Sequence, residues 1–305
     1  MVLLGAERFV FEPLAGADAT ALPAQECWRA VAGGRELARL SLWWQGTPPQ
    51  AGERIGSLGA LSARDPQAAA ALLRHACARL AERGCTRALA PMDGNTWGAY
   101  RCRLQPPLGF AGEPSPGPEW LPILAAAGFR EQARYLSSRC DDLALRRSAR
   151  HVRRRLAGVR LLPAAGLDAA ALLPGLQALV GQAFAHQPWF LPLDPLAFAR
   201  ALQTRLAADP VPLQLLACHR DELVGLLLGH RDGGQLVVRT LAVRPGFRHA
   251  GLGALLLEAA HAAGRAAGCR TAIHALMLEG GASQALSRHY ARPVARYALL
   301  GRRLG

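Results

Sequence analysis

The 305-residue chain has no lysine: all 36 of its basic residues are arginine, against 22 acidic ones, for a net charge of +14. A phosphate loop of the form G-x-x-x-x-G-K-[ST] is therefore excluded, because its lysine reaches the phosphates. No uncharged apolar run approaches the roughly 18 residues that a membrane span requires. The N-terminal stretch carries Glu7 and no long apolar core, so no secretion signal is visible and a soluble, cytoplasmic protein without membrane partners is expected. The seven cysteines are odd in number and show no C-x-x-C spacing, which argues against a disulfide frame or a zinc site and for reduced, mostly buried thiols. The basic excess is not joined by a helix-turn-helix, zinc-finger or aromatic RNA-binding signature, so nucleic acid is not an expected partner. Arginine without lysine beside abundant Ala, Gly and Leu fits a coding bias, and basic charge also suits an anionic cofactor.

What the chain does contain is one informative joint. Leu236 to Val243 is an apolar, β-branched run of strand length, stopped by Arg244-Pro245-Gly246. Phe247 to Gly253 follows, and from Gly251 the spacing turns helical, with Leu252, Leu255, Leu256, Ala259, Ala260 and Ala263 three and four residues apart. The first turn of a helix presents backbone N–H groups with no intrahelical partner at the positive end of the dipole, so it favours anions. Gly251 and Gly253 hold no Cβ over those amides, and Arg248 and His249 can add charge beside them. The spacing is not the dinucleotide fingerprint G-x-G-x-x-G. A packing-only turn would leave the Arg248-His249 pair without a role.

The pattern Arg248-x-x-Gly251-x-Gly253, preceded by Leu241-Ala242-Val243-x-Pro245, resembles the acetyl-CoA motif of the GNAT family of N-acetyltransferases. The resemblance implies that the loop amides of Arg248, His249, Ala250, Gly251, Leu252, Gly253 and Ala254 take the CoA pyrophosphate. It also implies a bulged strand whose Leu241 and Val243 amides face the thioester carbonyl. The expected cofactor is acetyl-CoA and the partner an amine acceptor, with oligomeric state left open.

Taken in order, the chain repeats one plan. Phe9 to Phe11, Cys27 to Ala32 and Glu36 to Trp44 read as strands, the last two flanking a Gly33-Gly34 turn; Ile55 to Leu61 is a strand, Pro66 to Arg83 a helix and Arg87 to Ala90 a strand. The second half runs Gly158 to Pro163, helices Ala169 to Ala185 and Leu196 to Ala208, strands Leu213 to Cys218 and Leu223 to Gly229, then the joint. Thr271 to Met277, a short helix Ser283 to Ala291 and Ala295 to Leu300 complete it. The fold class is thus α/β (α+β): two GNAT-like domains, 1–145 and 146–305, each a mixed, mostly antiparallel sheet flanked by helices. The first copy has Asp65 where a phosphate would sit and no glycine pair, so it is expected to lack a cofactor site. Its Pro91 to Arg101 segment contacts the acceptor, closes over the second domain, or is a turn-rich crossover that packs Trp97 and Tyr100 at the domain interface. Asp141 to Arg155 joins the copies, its arginines serving either as a solvated helix or as a phosphate patch.

Acetyl transfer requires a polarised carbonyl, a deprotonated amine and a proton for the departing thiolate. The family resemblance places Tyr290 as the general acid, against the alternative of a packing tyrosine. Ser283 stands in part for an asparagine common in the family. The family's Gly-Phe is replaced by Val294-Ala295. The base is open between His274, the weaker choices His230 and Glu279, and bulk water. Trp189, Phe190 and Asp194, between the first two helices of the second copy, are candidates to line the acceptor site or simply to pack.

Overall fold

The computed structural model describes residues 9–14, 22–147, 156–164, 168–207, 212–220, 222–246 and 250–305, with residues 152 and 154. The first half is a meander of β1 (Val10–Pro13), β2 (Glu26–Ala32) and β3 (Arg35–Trp43), followed by β4 (Ile55–Ala63), α1 (Pro66–Glu82) and β5 (Arg87–Ala90). Gly33 and Gly34, at φ +57° and +74°, make the β2–β3 turn, which a residue with a Cβ adopts only under strain. Pro66 opens α1 and Asp65 caps it, while Ala69, Leu72, Leu73, Ala76 and Leu80 form the buried stripe. A two-residue β6 (Cys102–Arg103), α2 (Trp120–Ala126) and the long β7 (Arg130–Cys140) follow.

The second half contains β8 (Val159–Pro163), α3 (Ala169–Phe184), α4 (Pro195–Ala207), β9 (Pro212–His219), β10 (Glu222–Asp232), β11 (Gln235–Val243), α5 (Leu252–Ala266), β12 (Thr271–Leu278), α6 (Ala282–Ser287) and β13 (Arg292–Arg303). The expected elements are present, with one correction. The helix expected over 283–291 ends at Ser287, so Tyr290 lies in the turn beyond it. The two-residue β6 is too short to announce itself in a periodicity. Of the arginine-rich join, residues 148–151, 153 and 155 lie outside the described residues, while Arg146 donates to the Glu258 carbonyl at 2.8 Å. The cysteines are free, and all but Cys218 are buried. Among the described residues no helix is long and apolar enough to cross a membrane, and no cluster of metal-ligating side chains occurs.

The strands form one sheet in the order β1-β2-β3-β4-β5-β13-β7-β12-β11-β10-β9-β8. In this order β13, from the end of the chain, lies between two first-half strands, and β7 lies between two second-half strands. Each half therefore supplies a central strand to the other. The β13–β7 pairing is antiparallel and runs from Arg292↔Arg139 to Gly301↔Arg130. It is locked by Tyr297, which is fully buried. Ser137 Oγ donates to the Tyr297 hydroxyl at 3.2 Å and accepts from the Leu276 amide at 3.1 Å, and Tyr297 donates to Glu113 at 3.1 Å. That chain ties β12, β7, β13 and the 104–118 loop together.

The two faces of the second-half sheet are distinct. Leu236, Val238 and Leu241 pack with Leu252, Leu256 and Leu257 of α5. Leu216, Leu226, Leu228 and Ala242 pack on the other face with Leu176, Leu179 and Phe198 of α3 and α4.

Because neither half has a contiguous sheet alone, thermal unfolding should be a single cooperative transition in calorimetry, with calorimetric and van't Hoff enthalpies equal. Tyr297→Ala should destabilise that one transition by about 3–5 kcal/mol. Two resolved transitions, with only one shifted by the substitution, would contradict the interlocked arrangement.

Candidate active site

The start of α5 is an uncapped helix N-terminus. Gly251 occupies the cap position at φ +91°, a left-handed conformation that costs other residues about 1–2 kcal/mol, and among the described residues no side chain caps the helix. No acidic residue stands in its first turn. Leu252 is fully buried and anchors the turn, while Ala250 and Gly251 are exposed and Gly253 and Ala254 half-buried. A Cβ on Gly253 would come 3.3 Å from Leu286 Cδ2. Arg248 and His249 lie outside the described residues. The corresponding end of α1 is closed: the Asp65 carboxylate accepts the Ala68 amide at 2.6 Å. One helix offers its amides to an anion, while the other has its own.

Beside this terminus the sheet splits. β11 and β12 are parallel and pair from Gln235↔Thr271 to Val238↔His274, after which they diverge. Where β11 pairs with β10, Leu228 faces Thr240 and Gly229 faces Val238, so Arg239 is the extra residue of a bulge. The bulge thus precedes Leu241, the residue whose amide was expected to carry it. The Arg244 amide donates to Val224 of β10 at 2.9 Å. Since N–H directions alternate along a strand, Leu241 and Val243 turn theirs toward the edge that β12 has left. A cavity opens there between Val238, Arg239, Leu241, His274, Met277 and Ser283.

The first copy shows the same split with a plug in it. β4 and β5 pair only from Ile55↔Arg87 to Ser57↔Leu89. Beyond, Asp93 Oδ1 accepts the Ala60 amide at 2.8 Å and the Met92 amide donates to Leu58 at 2.8 Å. A side chain of the Pro91 to Arg101 segment thus takes an amide that the other copy leaves turned to a cavity.

His274 and Tyr290 belong to two buried hydrogen-bonded groups. His274 Nδ1 lies 2.7 Å from Ser287 Oγ and its Nε2 lies 2.9 Å from His261 Nε2. One ring must donate and the other accept through an unprotonated nitrogen, so the pair holds at most one imidazolium. Burial lowers the His274 pKa to about 3, helped by His261, and burial followed by Arg146 lowers that of His261 to about 4. Tyr290 donates to Glu258 Oε1 at 2.9 Å, and the same oxygen accepts the Arg147 amide at 2.7 Å. Burial first, then this carboxylate, pushes the phenol pKa up. Ser287, His261 and Glu258 were not singled out from sequence. The signal was there for the α5 pair: Glu258 and His261 are polar residues three apart on the buried stripe of an apolar helix. Of the weaker bases, His230 is fully buried in β10 and Glu279 is exposed at the end of β12.

The acceptor candidates separate. Phe190 packs with Trp97 and Phe184, at centroid distances of 6.1 and 5.9 Å. Trp97, from the first half, stacks edge-on with Phe198 and donates to the Leu191 carbonyl at 2.8 Å. The interface-packing role weighed for Trp97 is the one observed. Trp189, at φ +65°, packs on the cluster holding Tyr135, Tyr297 and Leu278. Asp194 does other work: its carboxylate caps α4, accepting the Leu196 and Ala197 amides at 3.0 Å each.

A helix terminus without an acidic residue in its first turn thus stands beside a split between parallel strands. The model of the Acetyltransferase (GNAT) family matches residues 183–291. A tandem GNAT protein from the clavulanic acid biosynthesis pathway superposes with a TM-score of 0.60 at 16% identity, over 92% of this chain and 83% of that one. A GCN5-related N-acetyltransferase from Sphaerobacter thermophilus gives 0.55 at 16%, over 92% and 81%. Eis1 from Mycobacterium abscessus gives 0.53 at 16%, over 95% and 67%. At these identities the likeness shows the fold. No curated protein matches in sequence. The family model thus matches the part of the second half that holds the α5 terminus and the β11–β12 split, and the likeness to a tandem GNAT protein extends the same type of fold over both halves.

The histidine pair sets a pH dependence. Unfolded histidines titrate near 6.5, and the folded values are lower, so the fold binds fewer protons between about 3 and 6.5. The stability from neutral His261 and His274 is complete above about 6.5 and lost as pH falls toward the folded values. Melting temperature should drop from pH 7.5 to 5. In the His261→Gln/His274→Gln double variant the drop should be shallower; an equal slope in both proteins would place the acid sensitivity elsewhere.

Proposed function

We propose that the chain is an acetyl-CoA-dependent N-acetyltransferase that acts on a primary amine by direct attack, working in the cytoplasm. Residues 146–305 carry the cofactor site and residues 1–145 form a copy without one. A single contrast carries this reading. The α5 terminus and the β11–β12 split are open, while the same two places in the first copy are occupied by Asp65 and Asp93.

The residues present fit the cofactor. The amides of Gly251 to Gly253 stand at the start of α5 with no acidic residue in its first turn, beside the cavity between the diverging β11 and β12. Bound there, acetyl-CoA supplies a thioester as the acyl donor. The Leu241 and Val243 amides are turned to the split, where they would polarise a carbonyl. His274 reaches the cleft and connects it through Ser287 and His261 to a buried path that can hold or pass a proton. Tyr290, with its raised pKa, stays protonated at working pH and is the proton donor once its hydroxyl turns from Glu258.

A second reading is a non-catalytic acyl-CoA-binding regulatory module. It is favoured by the internal bonding of both proton carriers: Tyr290 to Glu258, and His274 to His261 and Ser287.

Calorimetric titration with acetyl-CoA should give saturable heat, and Gly251→Ala should weaken binding about tenfold through its left-handed φ. Thiol release with a panel of amines then separates the readings. Tyr290→Phe should lower kcat about a hundredfold while leaving the binding heat intact. Binding without release on any amine would favour the regulatory module, and absence of heat would remove both.

A further inference from the structure

The Pro91 to Arg101 segment ends on an unusual residue. Arg101 is 8% exposed and sits at φ +89°, a strained conformation for a residue with a side chain. Its guanidinium is held between two rings, with Cζ 3.8 Å from the Tyr100 centroid and 4.1 Å from the Tyr135 centroid, and it donates to the Tyr100 hydroxyl. Its Nε has no hydrogen-bond partner. Among the described residues it forms no ion pair. The 104–118 loop brings Glu113 to the same cluster, but that carboxylate accepts from Tyr297 and from the Leu108 and Gly109 amides instead. Aromatic faces attract a cation without neutralising it, and a buried charge without a counter-charge is costly.

The location gives that charge a meaning. Tyr135 is paired with Leu278 of β12 and with Tyr297 of β13, so Arg101 lies one strand from the split. Leu276, Leu278, Tyr100 and Trp189 share its cluster. This is the face opposite α5, where His274 meets His261, so it is where an acceptor would approach a thioester lying in the split. Trp189, at φ +65°, also has a buried Nε1–H without an acceptor. Two strained residues, one from each half, thus bring two unsatisfied donors to one place, and one of them is cationic.

We infer that Arg101 recognises an anionic group on the acceptor, so the substrate class is a carboxylate-bearing amine such as an amino acid rather than a neutral or cationic amine. This rests on the proposed acetyltransferase activity for its setting. It makes the first half, which has no cofactor site, a contributor to substrate selection. A carboxylate satisfies the guanidinium and relieves the unpaired burial, whereas the matched amine leaves both donors as they are.

The test compares matched acceptors: L-phenylalanine, L-phenylalaninamide and phenethylamine, and L-lysine with cadaverine, each followed by CoA release. The wild type should prefer the carboxylate-bearing member by about tenfold to a hundredfold in kcat/KM, carried mainly in KM. Arg101→Gln should collapse that ratio, and Arg101→Lys should restore part of it. Heat from acetyl-CoA should persist in both variants, which also shows that they fold. Equal use of acid, amide and amine, or a ratio unchanged in Arg101→Gln, would overturn the assignment. If no amine releases CoA, the activity reading fails separately. Thermal shifts by the same amino acids then decide the site: a shift lost in Arg101→Gln supports it, and no shift, or the same shift in both proteins, overturns it.

Discussion

The antiparallel ladder between β7 and β13 is the constraint from which the rest follows. It joins strands 160 residues apart in the Ser137–Tyr297 contact, and it places each strand inside the other half's sheet. Long-range pairing of this kind is costly to form and rigid once formed. Rigidity is what lets a first-half loop reach the second half with fixed geometry. Trp97 can hold Leu191, and Arg101 can stand beside the β12 edge, because the sheet runs unbroken from one half to the other.

Given that shared frame, the two copies differ by a small number of polar groups. Both have a parallel strand pair that splits and a helix that starts beside it. In the first, carboxylates of the chain itself bond to the amides at both places; in the second, no described carboxylate does so, and a cavity lies at the split. A carboxylate oxygen on a backbone amide is chemically close to what a phosphate or carbonyl oxygen would be there. At these two places the first copy satisfies an amide with its own carboxylate.

The sequence made much of this legible, for local reasons. Strand alternation, helical spacing and caps are written within a few residues, so most elements were placed within two or three residues of where they stand. The Gly251-x-Gly253 joint was readable because a helix terminus depends only on its own first turn. Strand exchange was not readable, since β13 has the same alternation whichever sheet accepts it. Pairs such as Tyr290–Glu258 and His261–His274 join residues 32 and 13 positions apart, and nothing in the spacing fixes their side-chain directions. Asp93 was hidden in a segment that reads as loop. Asp194, four residues beyond Phe190, looked like a site residue because a capping aspartate and a recognition aspartate have the same one-letter signature.

The exchange of central strands also bears on descent. A duplicated gene normally sheds the copy that no longer does chemistry, and truncation is the shortest route. Here, removing the 5′ half of the reading frame would strip β7 from between β13 and β12 and leave the surviving sheet broken at its middle. Deletion of the first half is closed off by the shared sheet, whereas substitution within either half is not.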